Sequence, residues 1–154
     1  MFEDKSKSTL PPELYDFRNF LYVVWQHLNL PDPTPVQFDM ALYLQNAPKR
    51  AVLEAFRGVG KSYVTCAYVV WCLAMDPDFK IMVVSASKAR ADDFSTFVQR
   101  LIMELPMCQH LIATKDQRWS KIAFDVGPSM ASGSPSVKSV GISGQLTGSR
   151  ASLI

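Results

Sequence analysis

Apolar positions along the chain follow two periods. From Glu13 to Asn29, Leu14, Phe17, Leu21, Val24 and Leu28 recur at helical spacing, and Phe20 and Trp25 widen the face. Pro31-Asp32-Pro33 ends that helix. Thr34 caps a second one with Pro35 at its first position; it carries Gln37, Phe38, Met40, Ala41 and Leu44 and stops near Pro48. Ala51-Val52-Leu53-Glu54-Ala55 then predicts a strand, and Tyr63 to Met75 a helix that ends at Asp76-Pro77. Lys80 to Ala86 is a near-continuous apolar run, as buried parallel strands are. Ser87 caps a helix through Glu104 with Ala91, Phe94, Phe97, Val98, Leu101 and Ile102 inward, and Pro106 ends it. Strand, helix, strand, helix is the order of an α/β sheet with right-handed crossovers.

The rest is less regular. Residues 1–12 read as a loose tail and residues 107–118 as irregular. Trp119 to Asp125 alternates like a strand, and a Gly-, Ser- and Pro-rich loop runs from Gly127 to Pro135. Val137 to Ile142 predicts another strand, a candidate second arm of a hairpin. Gly144 to Arg150 reads as a turn, and Leu153-Ile154 as the opening of a buried strand. No repeat or heptad series is visible.

Composition narrows the class. With 154 residues, 48% hydrophobic and 19% charged, the chain can bury a core and is not of disordered type. A formal charge of +2 does not by itself mark a nucleic-acid binder, and a local patch would be needed. Cys66, Cys72 and Cys108 offer neither an even disulfide set nor metal spacing and read as reduced, buried thiols. His27 and His110 lack a tellingly spaced acid. No signal peptide opens the chain, and the apolar run Tyr68 to Met75 is far short of a membrane span, so a soluble, intracellular protein without a membrane partner is expected.

The chemistry concentrates at Ala55-Phe56-Arg57-Gly58-Val59-Gly60-Lys61-Ser62, between the first predicted strand and its helix. A glycine-bearing turn that ends in Gly-Lys-Ser there is a phosphate cradle. Its glycines let main-chain N–H groups approach an anion, and the following helix adds orphan donors and its positive end. Lys61 is placed for the β- and γ-phosphates of ATP, and Ser62 for Mg²⁺. The strict pattern has Gly where this chain has Ala55. A plain glycine-rich turn with an exposed lysine is the bland alternative. A nucleotide hydrolase further needs an apolar strand ending in acidic residues, and none occurs: Asp76 and Asp78 follow a helix, Asp92 and Asp93 lie within one, and Asp125 is followed by Val126-Gly127.

Four blocks carry a resemblance: Thr34 to Ala41, the loop Ala55 to Ser62, Val83 to Asp92, and Ser134 to Ala151. Together they resemble the large terminase subunit, or DNA maturase B, of T7-like tailed bacteriophages, from about Phe17 to Ile154. The resemblance implies a helicase-like P-loop NTPase with a mostly parallel sheet flanked by helices. It implies a DNA-packaging motor that couples ATP hydrolysis to translocation of double-stranded DNA through a portal protein, helped by a small terminase subunit, as a ring in the host cytoplasm and at the procapsid portal. On that basis residues 1–32 are a tail and helix, residues 33–154 are a partial ATPase domain cut before the acidic Mg²⁺ strand, and the nuclease half is absent.

The resemblance also assigns residues. Gln37 resembles the glutamine that reads the adenine edge, against the alternative of a surface glutamine; Arg57 resembles the loop arginine that meets the γ-phosphate, against a solvated arginine at a turn. The expected nucleotide positions are Gln37, Arg57, Gly58, Val59, Gly60, Lys61, Ser62 and Tyr63, with Lys61 and Arg57 catalytic and Ser62 on the metal. Lys88 and Arg90 follow the second strand and could couple nucleotide to DNA, and Lys138 and Arg150 could face DNA or a neighbour; a solvated surface explains all four as well. Phe17, Phe20, Trp25, Phe94 and Phe97 read as core. Alone, the chain is expected to bind ATP and turn it over negligibly. The alternatives are a non-catalytic nucleotide-binding or assembly module and an inactive fragment; a small metabolite kinase would need a lid and an acceptor site, and neither is visible.

Overall fold

The computed structural model describes residues 2–146 and 148–154. A 3-10 turn, Pro12–Tyr15, leads into α1 (Phe17–His27), which Asp16 caps by accepting from the Arg18 N–H. Helix α2 (Pro35–Asn46) starts on Thr34. Thr34 and Gln37 cap each other's backbones reciprocally, a capping box legible as Thr-x-x-Gln. Helix α3 (Lys61–Met75) is the spine: it is buried at Val64 and at every residue from Cys66 to Met75. A helix apolar on all sides belongs inside a core. Strand β1 (Ile81–Ser85) follows, then α4 (Lys88–Glu104), whose Ser87 cap accepts from the Arg90 N–H. A 3-10 turn Pro106–Leu111, β2 (Ala123–Phe124) and β3 (Val137–Gly141) complete the order.

The fold is α/β with a small mixed sheet ordered β1-β3-β2. β1 and β3 pair in parallel over five positions, from Ile81 opposite Val137 to Ser85 opposite Gly141. β2 pairs antiparallel to β3, as the expected hairpin arm does. Leu153 makes a parallel bridge to Ile81, so the expected final strand appears as one bridge. On the other side of α3, Phe17 stacks on Trp71 at 5.6 Å, and Trp71 donates its indole N–H to the Leu14 carbonyl. Phe17, Phe20 and Trp25 are buried as expected, whereas Phe94 and Phe97 are only partly buried against the core.

Three expectations are corrected. The run Ala51 to Ala55 is not a strand: among the described residues its backbone makes no ladder hydrogen bond, and Val52 is 76% exposed. An apolar run becomes a strand only against a partner edge. The alternation from Trp119 to Asp125 shrinks to β2, because the Ser120 N–H bonds the Ala123 carbonyl and Trp119 bridges Phe124, turning the run back on itself. The tail is not loose: the Thr9 N–H reaches the Ala74 carbonyl, Leu10 is buried, Phe2 packs edge-on to Trp71, and Lys7 pairs with Asp78.

Candidate functional site

The loop before α3 has the backbone its glycines imply. Gly58 (φ 91°) and Gly60 (φ 89°) both sit in the left-handed region. Gly60 is the residue before the first turn of α3, and Lys61 begins the helix. Around Gly58 there is open space, whereas a Cβ on Gly60 would lie 3.2 Å from Gln37 Nε2. Side chains cap α1, α2 and α4, but none caps α3. Among the described residues its first-turn N–H groups, Lys61 to Tyr63, have neither an intrahelical acceptor nor a side-chain one. Free donors at a positive helix end, beside an open glycine, fit a phosphate.

Gln37 ties this loop to α1 and α2. Its Oε1 accepts from Trp25 Nε1 (3.2 Å) and from the Thr34 N–H (3.0 Å), while its Nε2 donates to the Val59 carbonyl (2.9 Å). Lys61 folds back over the loop and donates Nζ to the carbonyls of Ala55 and Phe56 (3.0 Å to the latter). Its ammonium thus sits within the turn that the sequence assigned to phosphate. Arg57 is exposed and, among the described residues, makes no hydrogen bond or ion pair. Ser62 is exposed, and Tyr63 stacks on Phe97 of α4 at 5.0 Å. The structure therefore gathers Gln37, Val59, Gly60 and Lys61, leaves Arg57 exposed and Ser62 at the rim of the neighbouring cleft, and turns Tyr63 toward α4.

A cleft of about 1140 Å³ opens next to the loop, between α3, β1, α4 and the segment 47–51. It touches the loop only at Ser62, and its walls are mainly apolar. It is a neighbour of the glycine turn rather than the turn itself. Among the described residues, no group of three His, Cys, Asp or Glu side chains could hold a metal.

The other lysines and arginines singled out are dispersed. Lys88 pairs with Asp92, which also accepts from Ser139 Oγ and so ties α4 to β3. These bonds, Ser139's first, hold the Asp92 carboxyl below its ordinary value. Lys138 donates to Ser149 Oγ (2.7 Å), and Arg90 lines the apolar cleft. The Arg150 side chain is exposed. An unforeseen link is Arg118 with Asp125, closed by Nε to Oδ2 at 2.9 Å and Nη2 to Oδ1 at 3.1 Å; Arg118 also donates to the Ser132 and Gly133 carbonyls. Burial pushes the Asp125 carboxyl up, but the Arg118 bonds outweigh it and hold it below the ordinary value. Seven residues of spacing across a turn gave no periodic signal for this pair.

The site is a glycine turn at an uncapped helix start on an α/β scaffold, a geometry that suits an anion. Comparison with known proteins places the chain more closely. No family model matches it. It is 56% identical over 140 residues to the terminase large subunit of Enterobacteria phage T3, a match that covers 90% of this chain and 24% of that protein. The chain belongs to the family of phage terminase large subunits and spans about a quarter of that relative's length. No helix among the described residues is long and apolar enough to cross a membrane.

Proposed function

We propose that the chain is the nucleotide-binding part of a phage DNA-packaging motor, with ATP phosphates seated on the turn Gly58 to Ser62. The observation that carries this is the uncapped start of α3 behind two left-handed glycines, with Lys61 folded into the same turn. Lys61 leaves the Ala55 and Phe56 carbonyls for the β- and γ-phosphate oxygens, exchanging neutral acceptors for charged ones. The N–H groups from Gly58 to Tyr63 point at the phosphates, and Ser62 offers its hydroxyl to Mg²⁺. Arg57, unattached, swings to the γ-phosphate. Reading adenine with Gln37 requires Nε2 to release Val59, so base recognition and loop geometry compete for one amide.

The P-loop architecture, coupling of hydrolysis to translocation, double-stranded DNA, portal protein, small subunit and ring assembly belong to this proposal for the whole motor, which acts in the host cytoplasm and at the procapsid. Among the described residues no acidic cluster could hold a metal, and the expectation for this chain is ATP binding with negligible turnover. The test is titration of the protein with a fluorescent ATP analogue and Mg²⁺, beside Lys61→Ala. Saturable binding weakened about tenfold or more by the substitution supports the reading. Equal binding by both proteins, or steady Lys61-dependent phosphate release, overturns it.

A further inference from the structure

The side chain of Gln37 is committed inside the fold at both ends of its amide. Its Oε1 accepts from the Trp25 indole N–H (3.2 Å) and from the Thr34 N–H (3.0 Å), which uses both lone pairs of a side-chain carbonyl. Its Nε2 donates to the Val59 carbonyl (2.9 Å) and lies against Gly60, where an added Cβ would stand 3.2 Å from it. Two donors meet the oxygen and one acceptor meets the nitrogen. A reversed amide would set N–H groups against N–H groups, so the partners fix one orientation.

A glutamine reads adenine as a bidentate pair: its oxygen accepts from the exocyclic amine while its nitrogen donates to a ring nitrogen. Here the oxygen has no lone pair left for the amine. Freeing one strands either the Trp25 N–H, on a side chain 2% exposed, or the Thr34 N–H that the capping box satisfies. Freeing the bonded proton of the nitrogen releases Val59, and with it the turn. The exposed side chains next to these residues are apolar: Val36 precedes Gln37, and Phe56, inside the turn, is 67% exposed. A ring or an aliphatic face packs on any base, since every base has a π-face.

We propose that the turn takes nucleoside triphosphates as a class, through their phosphates, and does not select the base. Gln37 is a positioning residue: from α2, and braced by Trp25 of α1, it holds Val59 and Gly60 in place at the start of α3. Selectivity then comes from the charge and length of the polyphosphate, to which Lys61 and the main-chain donors respond. The inference rests on the reading of the turn as a phosphate seat, and it removes Gln37 from base recognition.

The test displaces the fluorescent ATP analogue from the protein, with Mg²⁺ present, by ATP, GTP, CTP and inorganic tripolyphosphate. Dissociation constants for the three nucleotides within about threefold of one another, with tripolyphosphate also competing, support the proposal. ATP favoured over GTP or CTP by more than about threefold overturns it and leaves the phosphate seat standing. Absence of saturable analogue binding, or equal binding to Lys61→Ala, overturns both. Gln37→Glu separates positioning from base reading. It still accepts from Trp25 and Thr34 but loses the donor to Val59. All four competitors therefore weaken by one common factor, about threefold or more, the ATP-to-GTP ratio keeps its wild-type value, and amide exchange at Gly60 speeds up. A loss confined to ATP with tripolyphosphate unchanged, or unaltered exchange at Gly60, overturns the proposal. Should Gln37→Glu not fold by circular dichroism, the wild-type panel alone decides.

Discussion

Gln37→Ala tests how the loop is held. The side chain makes three hydrogen bonds, two of them partly buried, to Trp25 and Val59, and one exposed, to the Thr34 N–H. A hydrogen bond contributes about 1 kcal/mol net, and an exposed one less. Alanine also strands the Trp25 N–H and half of the capping box, so a loss of about 2–3 kcal/mol is expected. For a domain of this size that lowers the melting temperature by about 5–10 °C. Gln37→Glu refines the test. Its oxygens still accept from Trp25 and Thr34, but one of them faces the Val59 carbonyl without a proton to share. The cap therefore survives while the loop is released. Urea denaturation gives stability, and amide exchange at Val59 and Gly60 gives loop order. The reasoning is refuted if Gln37→Ala costs less than about 0.5 kcal/mol and leaves exchange at Val59 and Gly60 unchanged, since both bonds would then carry nothing.

The other expectations are briefer. Gly60→Ala costs more than Gly58→Ala by urea denaturation, because both force alanine to positive φ, at about 1 kcal/mol or more, but only position 60 also crowds Gln37 Nε2; equal costs would count against the crowding. Asp125→Asn costs about 1–2 kcal/mol at neutral pH by breaking the bidentate tie to Arg118. The Asp125 pKa is lowered on folding, so its contribution is whole above the ordinary carboxyl value of 3.8 and is lost as pH falls through the native value; the wild-type advantage over Asp125→Asn shrinks across that window in acid titrations of stability. Burial pushes the thiols of Cys66 and Cys72 up strongly and that of Cys108 up to about 12, so native protein resists a thiol reagent at pH 8 and urea-unfolded protein reacts at three sites. Rapid native labelling would contradict the buried placement of these helices.

What the sequence made legible was local. Helical spacing located α1, α2, α3 and α4, and Thr34, Pro35 and Ser87 marked starts that the hydrogen bonds bear out, because caps and periodicity act within one turn of chain. The glycine turn was legible too, since only a left-handed position calls for Gly58 and Gly60 together with Gly-Lys-Ser. Strands were harder, because a strand is a relation between segments. Ala51 to Ala55 has the composition of one and, among the described residues, no ladder partner, while Leu153 has almost no run and still pairs. Gln37 stood out as a candidate base reader, while its capping role went unread although Thr-x-x-Gln is a signal for it, and its bond to Val59 joins residues 22 positions apart with no local pattern to announce it. The docking of the tail through Phe2 and Thr9 onto α3 is non-local in the same way.

The central claim is that main-chain N–H groups from Gly58 to Tyr63 receive the phosphates of ATP. The most direct measurement is residue-resolved amide spectroscopy of the protein as Mg²⁺-ATP is added. The account predicts saturable shifts and slowed exchange confined to Gly58 through Tyr63, absent in Lys61→Ala. Shifts centred on any other segment, or none at millimolar nucleotide, would contradict it.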